Sequence, residues 1–329
     1  MTKAIPLAKP VIGRSERRAV NRVLRSGNLA QGPEVAAFEN EFSQFVEGRD
    51  CVAVNSGTSA LHLALLSLGI GAGDEVIVPS FTFAATANSV ALTGATPVFV
   101  DIDPVTFNLD YQRIEAAITK KTKAIQVVHL YGLPANMVEI MKIAKRYNLK
   151  VIEDAAQAHN ASIDGKLVGS FGDAAAFSFY PTKNMTSGEG GMIVFSNLQD
   201  AQTARLLRNQ GMEKRYQNEL VGFNLRMTDI HAVIGREQLR KLKDWTQKRQ
   251  ENAGFLSSRI LQVITPHIPS GYSHVFHQYT VRIPHNRDLF STKLTELGIG
   301  NGVYYPTQVH KLPSFMRKID LPHTERATK

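Results

Sequence analysis

Two short strings hold the residue types that could do chemistry: Glu153-Asp154-Ala155-Ala156-Gln157 and Ser178-Phe179-Tyr180-Pro181-Thr182-Lys183. Each closes an apolar run that reads as a buried strand, and the ends of such strands are where α/β proteins build ligand sites. Together they supply a carboxylate, an amide, a hydroxyl and an amine. An amine can form a Schiff base with an aldehyde, a carboxylate can keep a ring nitrogen protonated, and small polar groups can hold a phosphate. A pyridoxal phosphate enzyme needs that set in one place.

Each of these residues also has a plainer reading. Asp154 follows Val151 and Ile152, so its carboxylate is partly buried and needs a cation or several donors. A pyridinium nitrogen, a helix cap or a structural salt bridge would each serve. Gln157 reads as a donor to a phenolic oxygen or as a surface amide. Lys183 has an apolar run before it and Ser187-Gly188-Glu189-Gly190-Gly191 after it. Partial desolvation there would lower its pKa and free the nucleophilic amine, although most lysines are solvated surface charges. Ser178, on the preceding strand, could bond a phosphate.

Asn55-Ser56-Gly57-Thr58-Ser59-Ala60-Leu61 sets a glycine and two hydroxyls where a strand hands over to a helix. That is either an anion site at the positive end of the helix or an ordinary N-cap. Phe83, in Pro79-Ser80-Phe81-Thr82-Phe83, is a stacking platform for a flat ring or a core residue.

Other patterns are set aside. Gly69-Ile70-Gly71-Ala72-Gly73 follows a helix and precedes a strand, the reverse of what pyrophosphate binding requires. Asp101 and Asp103 read as turn residues beside Pro104. His129 and His159 lack a second His or Cys at ligand spacing, so no metal is expected. The single cysteine, Cys51, excludes an intrachain disulfide and reads as a buried core thiol.

The elements that must position these residues alternate. Helices are expected over 15–25, 34–45, 58–68, 82–92, 110–119 and 136–147, with strands over 51–55, 75–78, 97–100, 124–128 and 150–153. Strands 174–179 and 191–195 then follow each other too closely for a crossover helix, which predicts antiparallel pairing and a mixed sheet. A helical stretch over 228–260 leads into a smaller domain with a strand over 277–283, a helix over 291–297 and a strand over 302–305. The expected division is 1–235, a large domain with amino-terminal helices, and 236–329, a small one.

The chain has 329 residues, 43% hydrophobic and 20% charged, the composition of a soluble globular protein. Its net charge of +9 does not point to nucleic acid, because the basic residues form no run with interleaved aromatics. The densest basic stretch, 236–249, reads as the wet face of a helix whose other side carries Leu239, Leu242 and Trp245. No apolar segment is long enough for a signal peptide or a membrane span, so a cytoplasmic protein is expected.

Taken in order, NSGTSALHLAL, PSFTFAATAN, VDIDPVTFNLD, VHLYGLPANM, EDAAQAHNA, FSFYPTKN, GEGGMI and GFNLRMTDIHAVIG resemble the DegT/StrS-type sugar aminotransferases. These are pyridoxal phosphate enzymes of fold type I, and the similarity runs over about residues 7–310. The resemblance implies an α/β fold with a mixed, mostly parallel sheet sandwiched by helices, plus a smaller carboxy-terminal α+β domain. Family members continue past the position of Lys329, which implies that this small domain is truncated.

The resemblance also assigns roles. It gives Lys183 the Schiff base and the proton shuttle, and Asp154 the pyridine nitrogen. Gln157 is implied at the ring hydroxyl, and Phe83 stacked on the ring. Gly57, Thr58, Ser59 and Ser178 form the phosphate cup. Asn224 reaches that phosphate from a second subunit, which implies a homodimer with shared active sites. Tyr304 and His310 fall in the stretch that shapes the substrate pocket. There Tyr304 stands where a histidine is usual and Gln308 where a proline is, so the sugar is not read from it. The implied reaction moves an amino group from glutamate to a nucleotide-diphospho keto-sugar, as in polysaccharide biosynthesis. An inosose-type aminotransferase, a sugar dehydratase and a non-catalytic regulatory homologue are the alternatives. Related dehydratases carry histidine at the position of Lys183, so the lysine favours transamination.

Overall fold

The computed structural model describes residues 4–329. Two helices, α1 (Arg14–Ser26) and α2 (Pro33–Phe45), lead into β1 (Asp50–Val54), α3 (Gly57–Ser67), β2 (Glu75–Pro79), α4 (Ala85–Leu92), β3 (Thr96–Val100) and β4 (Thr122–Val128). Then come α5 (Met137–Tyr147), β5 (Lys150–Asp154), the small strands β6 (Ser162–Ile163) and β7 (Lys166–Leu167), β8 (Ala174–Ser178), β9 (Gly191–Phe195) and α6 (Leu198–Arg208). The remainder holds α7 (Asp229–Leu239), α8 (Leu242–Arg259), β10 (Tyr272–Ser273), α9 (Arg287–Glu296) and α10 (Pro322–Ala327).

Seven strands form the main sheet in the order β1-β9-β8-β5-β4-β2-β3. Strands β2, β3, β4, β5 and β8 pair in parallel, and β9 pairs antiparallel with both β8 and β1. Only β9 is therefore reversed, and the mixed sheet is as expected. The carboxy ends of β1, β2, β4, β5 and β8 all meet one edge.

Alternation along the strands explains the layers. In β2, Val76 and Val78 pack on one face with Leu61, Leu63 and Leu65 of α3, whereas Ile77 packs on the other with Ile140 and Ile143 of α5. Farther along that second face, Phe38 and Phe42 of α2 meet Phe177 and Phe179. Burying each such aromatic stabilises by about 2–3 kcal/mol.

Four expected elements differ. The helix over 110–119 is two short 3₁₀ turns, Tyr111–Arg113 and Glu115–Ala117. Side chains of Asp110 and Thr122 take the amides of Gln112 and Thr119 and so compete with helical bonding. The stretch over 228–260 breaks between α7 and α8, where Lys241 turns its ammonium to Ser15 and Glu16 of α1. Residues 277–283 make only one bridge, Arg282 to Ile264, and 302–305 form no strand. Both segments instead lay side chains against the sheet's edge, His277 on Asn184 and Tyr305 on Gln157. Among the described residues no helix is long and apolar enough to cross a membrane.

Candidate active site

The site begins where β1 ends. Ser56 caps α3, its hydroxyl accepting from Ser59 N at 3.1 Å, and the first amides of the helix are left without helical partners. The Ser59 hydroxyl donates to Asn55 Oδ1 at 2.7 Å and would have to turn from it to meet a phosphate. Gly57 is required by space: a Cβ there would lie 2.7 Å from Cβ of Ser178. Gly191 is likewise pinned, since its Cβ would lie 2.4 Å from the Ser56 carbonyl. Because Gly191 pairs with both Val54 and Ser178, reversed β9 draws the Ser178 hydroxyl against the start of α3. The structure thus brings Gly57, Thr58, Ser59 and Ser178 together as a small polar cradle at a helix's positive end.

Asp154 is the last residue of β5 and is buried. Thr86 donates to its Oδ2 at 2.8 Å and Ala156 N to its Oδ1 at 3.2 Å. Burial pushes its carboxyl pKa up, and these two donors with the charge of Lys183 pull against that rise. Burial pulls the Lys183 amine down, with Asp154 opposing. The two charges act on each other, yet no ion pair joins them among the described residues. A buried carboxylate and a desolvated amine whose charges act on each other without a direct ion pair are the groups that the two ends of one such ring require. The donor set therefore fits pyridoxal phosphate: cradle for the phosphate, acid for the ring nitrogen, half-desolvated amine for the aldehyde.

Gln157 is fixed at both ends. Its Oε1 accepts from Tyr131 N at 2.7 Å, and its Nε2 donates to the Tyr305 hydroxyl at 2.9 Å. Phe83 is exposed, 61%, with its ring centroid 6.4 Å from that of Tyr305, so it is not a core residue. Tyr304 is at the surface and its carbonyl accepts from the Tyr131 hydroxyl. His310 is fully buried, its Nδ1 2.6 Å from the Ser80 hydroxyl, so it ties the carboxy-terminal segment to the end of β2. The Asn224 side chain is exposed; its neighbour Leu225 accepts from Asn55 N at 2.9 Å, beside the cradle.

Two residues of this edge went unassigned in sequence reasoning. Thr86 gave no signal, since hydroxyls near helix starts are common. Tyr305 stood in the Tyr-Pro pair, but its partner lies 148 residues away.

Three of the patterns set aside have structural partners. His129 Nδ1 accepts from Ala135 N at 3.0 Å, which leaves Nε2–H to donate to Glu153 at 3.0 Å. Asp101 caps α10 through the amides of His323 and Thr324, and Asp103 closes a turn with Val105 and Thr106. No metal-holding group of His, Cys, Asp or Glu occurs among the described residues. Cys51 is buried.

A family model described as the DegT/DnrJ/EryC1/StrS aminotransferase family matches residues 10–329. A pleiotropic regulatory protein of Geobacillus stearothermophilus is 43% identical over 323 residues, covering 95% of this chain and 86% of its own. A GDP-perosamine synthase of Caulobacter vibrioides is 44% identical over 323 residues, covering 94% and 86%. Among solved structures, S. venezuelae DesV in complex with a ketimine intermediate matches with a TM-score of 0.91 at 40% identity, covering 95% of this chain and 86% of that one.

Proposed function

The chain belongs to the DegT/DnrJ/EryC1/StrS aminotransferase family of pyridoxal 5′-phosphate enzymes, and from that premise we propose that it moves an amino group from glutamate to a nucleotide-diphospho keto-sugar. The observation that carries the reading is the pairing of buried, doubly bonded Asp154 with the half-desolvated amine of Lys183. A purely structural lysine would sit in an ion pair or in water.

When bound, the cofactor supplies an electron sink for negative charge developing at the carbon that carries the amino group. Asp154 holds a proton on the ring nitrogen, and Thr86 and Ala156 fix the direction of its oxygens. Gly57, Thr58, Ser59 and Ser178 hold the phosphate, with Asn224 of a second subunit completing the cradle. Phe83 covers one face of the ring. Gln157 donates to the ring oxygen. Lys183 Nζ takes a proton from the donor's carbon and returns one to the acceptor's carbon, and burial, by pulling its pKa down, eases that exchange. Tyr304, at the surface beside Tyr305, faces the sugar.

The regulatory name of the Geobacillus relative favours a second reading, a ligand-binding regulator that keeps the fold. Glutamate added to the cofactor-loaded protein, followed by candidate acceptors singly, separates the two. Turnover requires glutamate to bleach the visible cofactor band and a keto-sugar nucleotide to restore it. Restoration by an inosose alone would change the acceptor; no bleaching by glutamate would favour the regulator.

A further inference from the structure

Gln157 is held at both ends of its amide, by Tyr131 and by Tyr305. Because Tyr131 N donates to Oε1 at 2.7 Å, the orientation of the amide is determined, and Nε2 faces the Tyr305 hydroxyl at 2.9 Å. The Tyr131 hydroxyl in turn donates to the Tyr304 carbonyl, so the 304–305 segment and Gln157 are tied to the same residue. The Tyr305 ring is seated edge-on against Phe81 at 6.0 Å and beside Phe83 at 6.4 Å. Since the Tyr305 oxygen accepts from Nε2–H, its own hydrogen stays uncommitted among the described residues, as does the second hydrogen on Nε2. Two free donors on bonded neighbours suit one oxygen that bears negative charge.

Resting on the reading above, we infer that Tyr305 is a positioning residue: it clamps the Gln157 amide and, with it, receives the phenolic oxygen of the cofactor ring. Burial and the charge of Asp154 raise the Tyr305 pKa, so the hydroxyl remains a donor throughout the working range. A donor to that oxygen stabilises its negative charge and so lowers the proton affinity of the chromophore. Removing the donor must raise it.

The test is the pH midpoint of the visible band of the cofactor-loaded protein. Tyr305→Phe keeps the packed ring and should raise the midpoint by about half a pH unit or more. Tyr305→Leu should do the same, Gln157→Ala should raise it further, and the double variant Tyr305→Phe/Gln157→Ala should exceed Gln157→Ala alone by less than the full Tyr305→Phe shift. A midpoint unmoved in both Tyr305 variants, or shifts that add in the double variant, overturns the clamp while leaving the proposed function standing. A wild-type protein that forms no visible band overturns the proposed function and the clamp together.

Discussion

Asp154 illustrates how much one side chain depends on distant ones. Its carboxylate is buried, and it stays useful because Thr86, 68 residues away, donates to Oδ2 at 2.8 Å. Replacing Thr86 by Val leaves that oxygen unpaired, and a lost bond to a charged group costs about 1.5–3 kcal/mol. The expected result is a carboxyl pKa displaced farther upward and kcat reduced about tenfold or more, read from the pH profile of kcat. Asp154→Asn removes the proton-holding charge and should lower kcat by about 10²–10⁴ with little change in Tm. Equal kcat in wild type and Asp154→Asn would contradict the assigned role. At this scale the placement of Asp154 and Ser178 at strand ends, and of Lys183 just beyond one, was legible, because strand ends announce themselves through the apolar runs before them. Thr86 and Tyr305 were not, since each acts through a partner that only the folded chain brings near.

Among the elements, reversed β9 decides the shape of the cradle. Gly191 lies between Val54 and Ser178, and Gly57 touches the Ser178 side chain, so neither position has room for a methyl group. Gly57→Ala should weaken cofactor binding and cost about 1–3 kcal/mol of stability as strand and helix are pushed apart. Titration with pyridoxal phosphate and a thermal melt would check both; unchanged affinity would place the phosphate elsewhere. The alternating strands and helices were readable because β2 is an apolar run on both faces and α5 is strongly amphipathic with capping residues at both ends. The 3₁₀ turns after β3 were not, because Asp110 and Thr122 redirect backbone bonds that periodicity alone assigns to a helix. Residues 277–283 and 302–305 carry strand-like composition, yet their side chains bond to loops and helices of the large sheet layer, His277 to Asn184, Tyr279 to Ser257 and Tyr305 to Gln157, rather than their backbones to a neighbouring strand.

For the whole molecule, α1 is fastened by a buried acid. Glu16, with its side chain fully covered, accepts from Gly13 N, Gln238 and Lys241, joining α1 to the α7–α8 corner. Burial opposes ionisation, but these donors outweigh it and hold the carboxyl at about 2, below its ordinary 4.5. A depressed folded pKa gives stability that is present above pH 4.5 and disappears as the pH falls toward 2. The contribution is about 2–4 kcal/mol. Glu16→Gln should therefore melt lower than wild type at pH 7, with the gap closing near pH 2; a constant gap would contradict the linkage. The proposed dimer is tested by mixing two inactive variants, Lys183→Ala and Asn224→Ala. If Asn224 serves the partner's site, mixed dimers hold one intact site and activity returns. If each chain serves itself, mixing restores nothing.

The most direct measurement is borohydride reduction of the pyridoxal phosphate-loaded protein followed by peptide mapping. The Asp154–Lys183 account predicts one reduced adduct, on Lys183, and none in Lys183→Ala. An adduct on another lysine, or none at all in the wild-type chain, would contradict it.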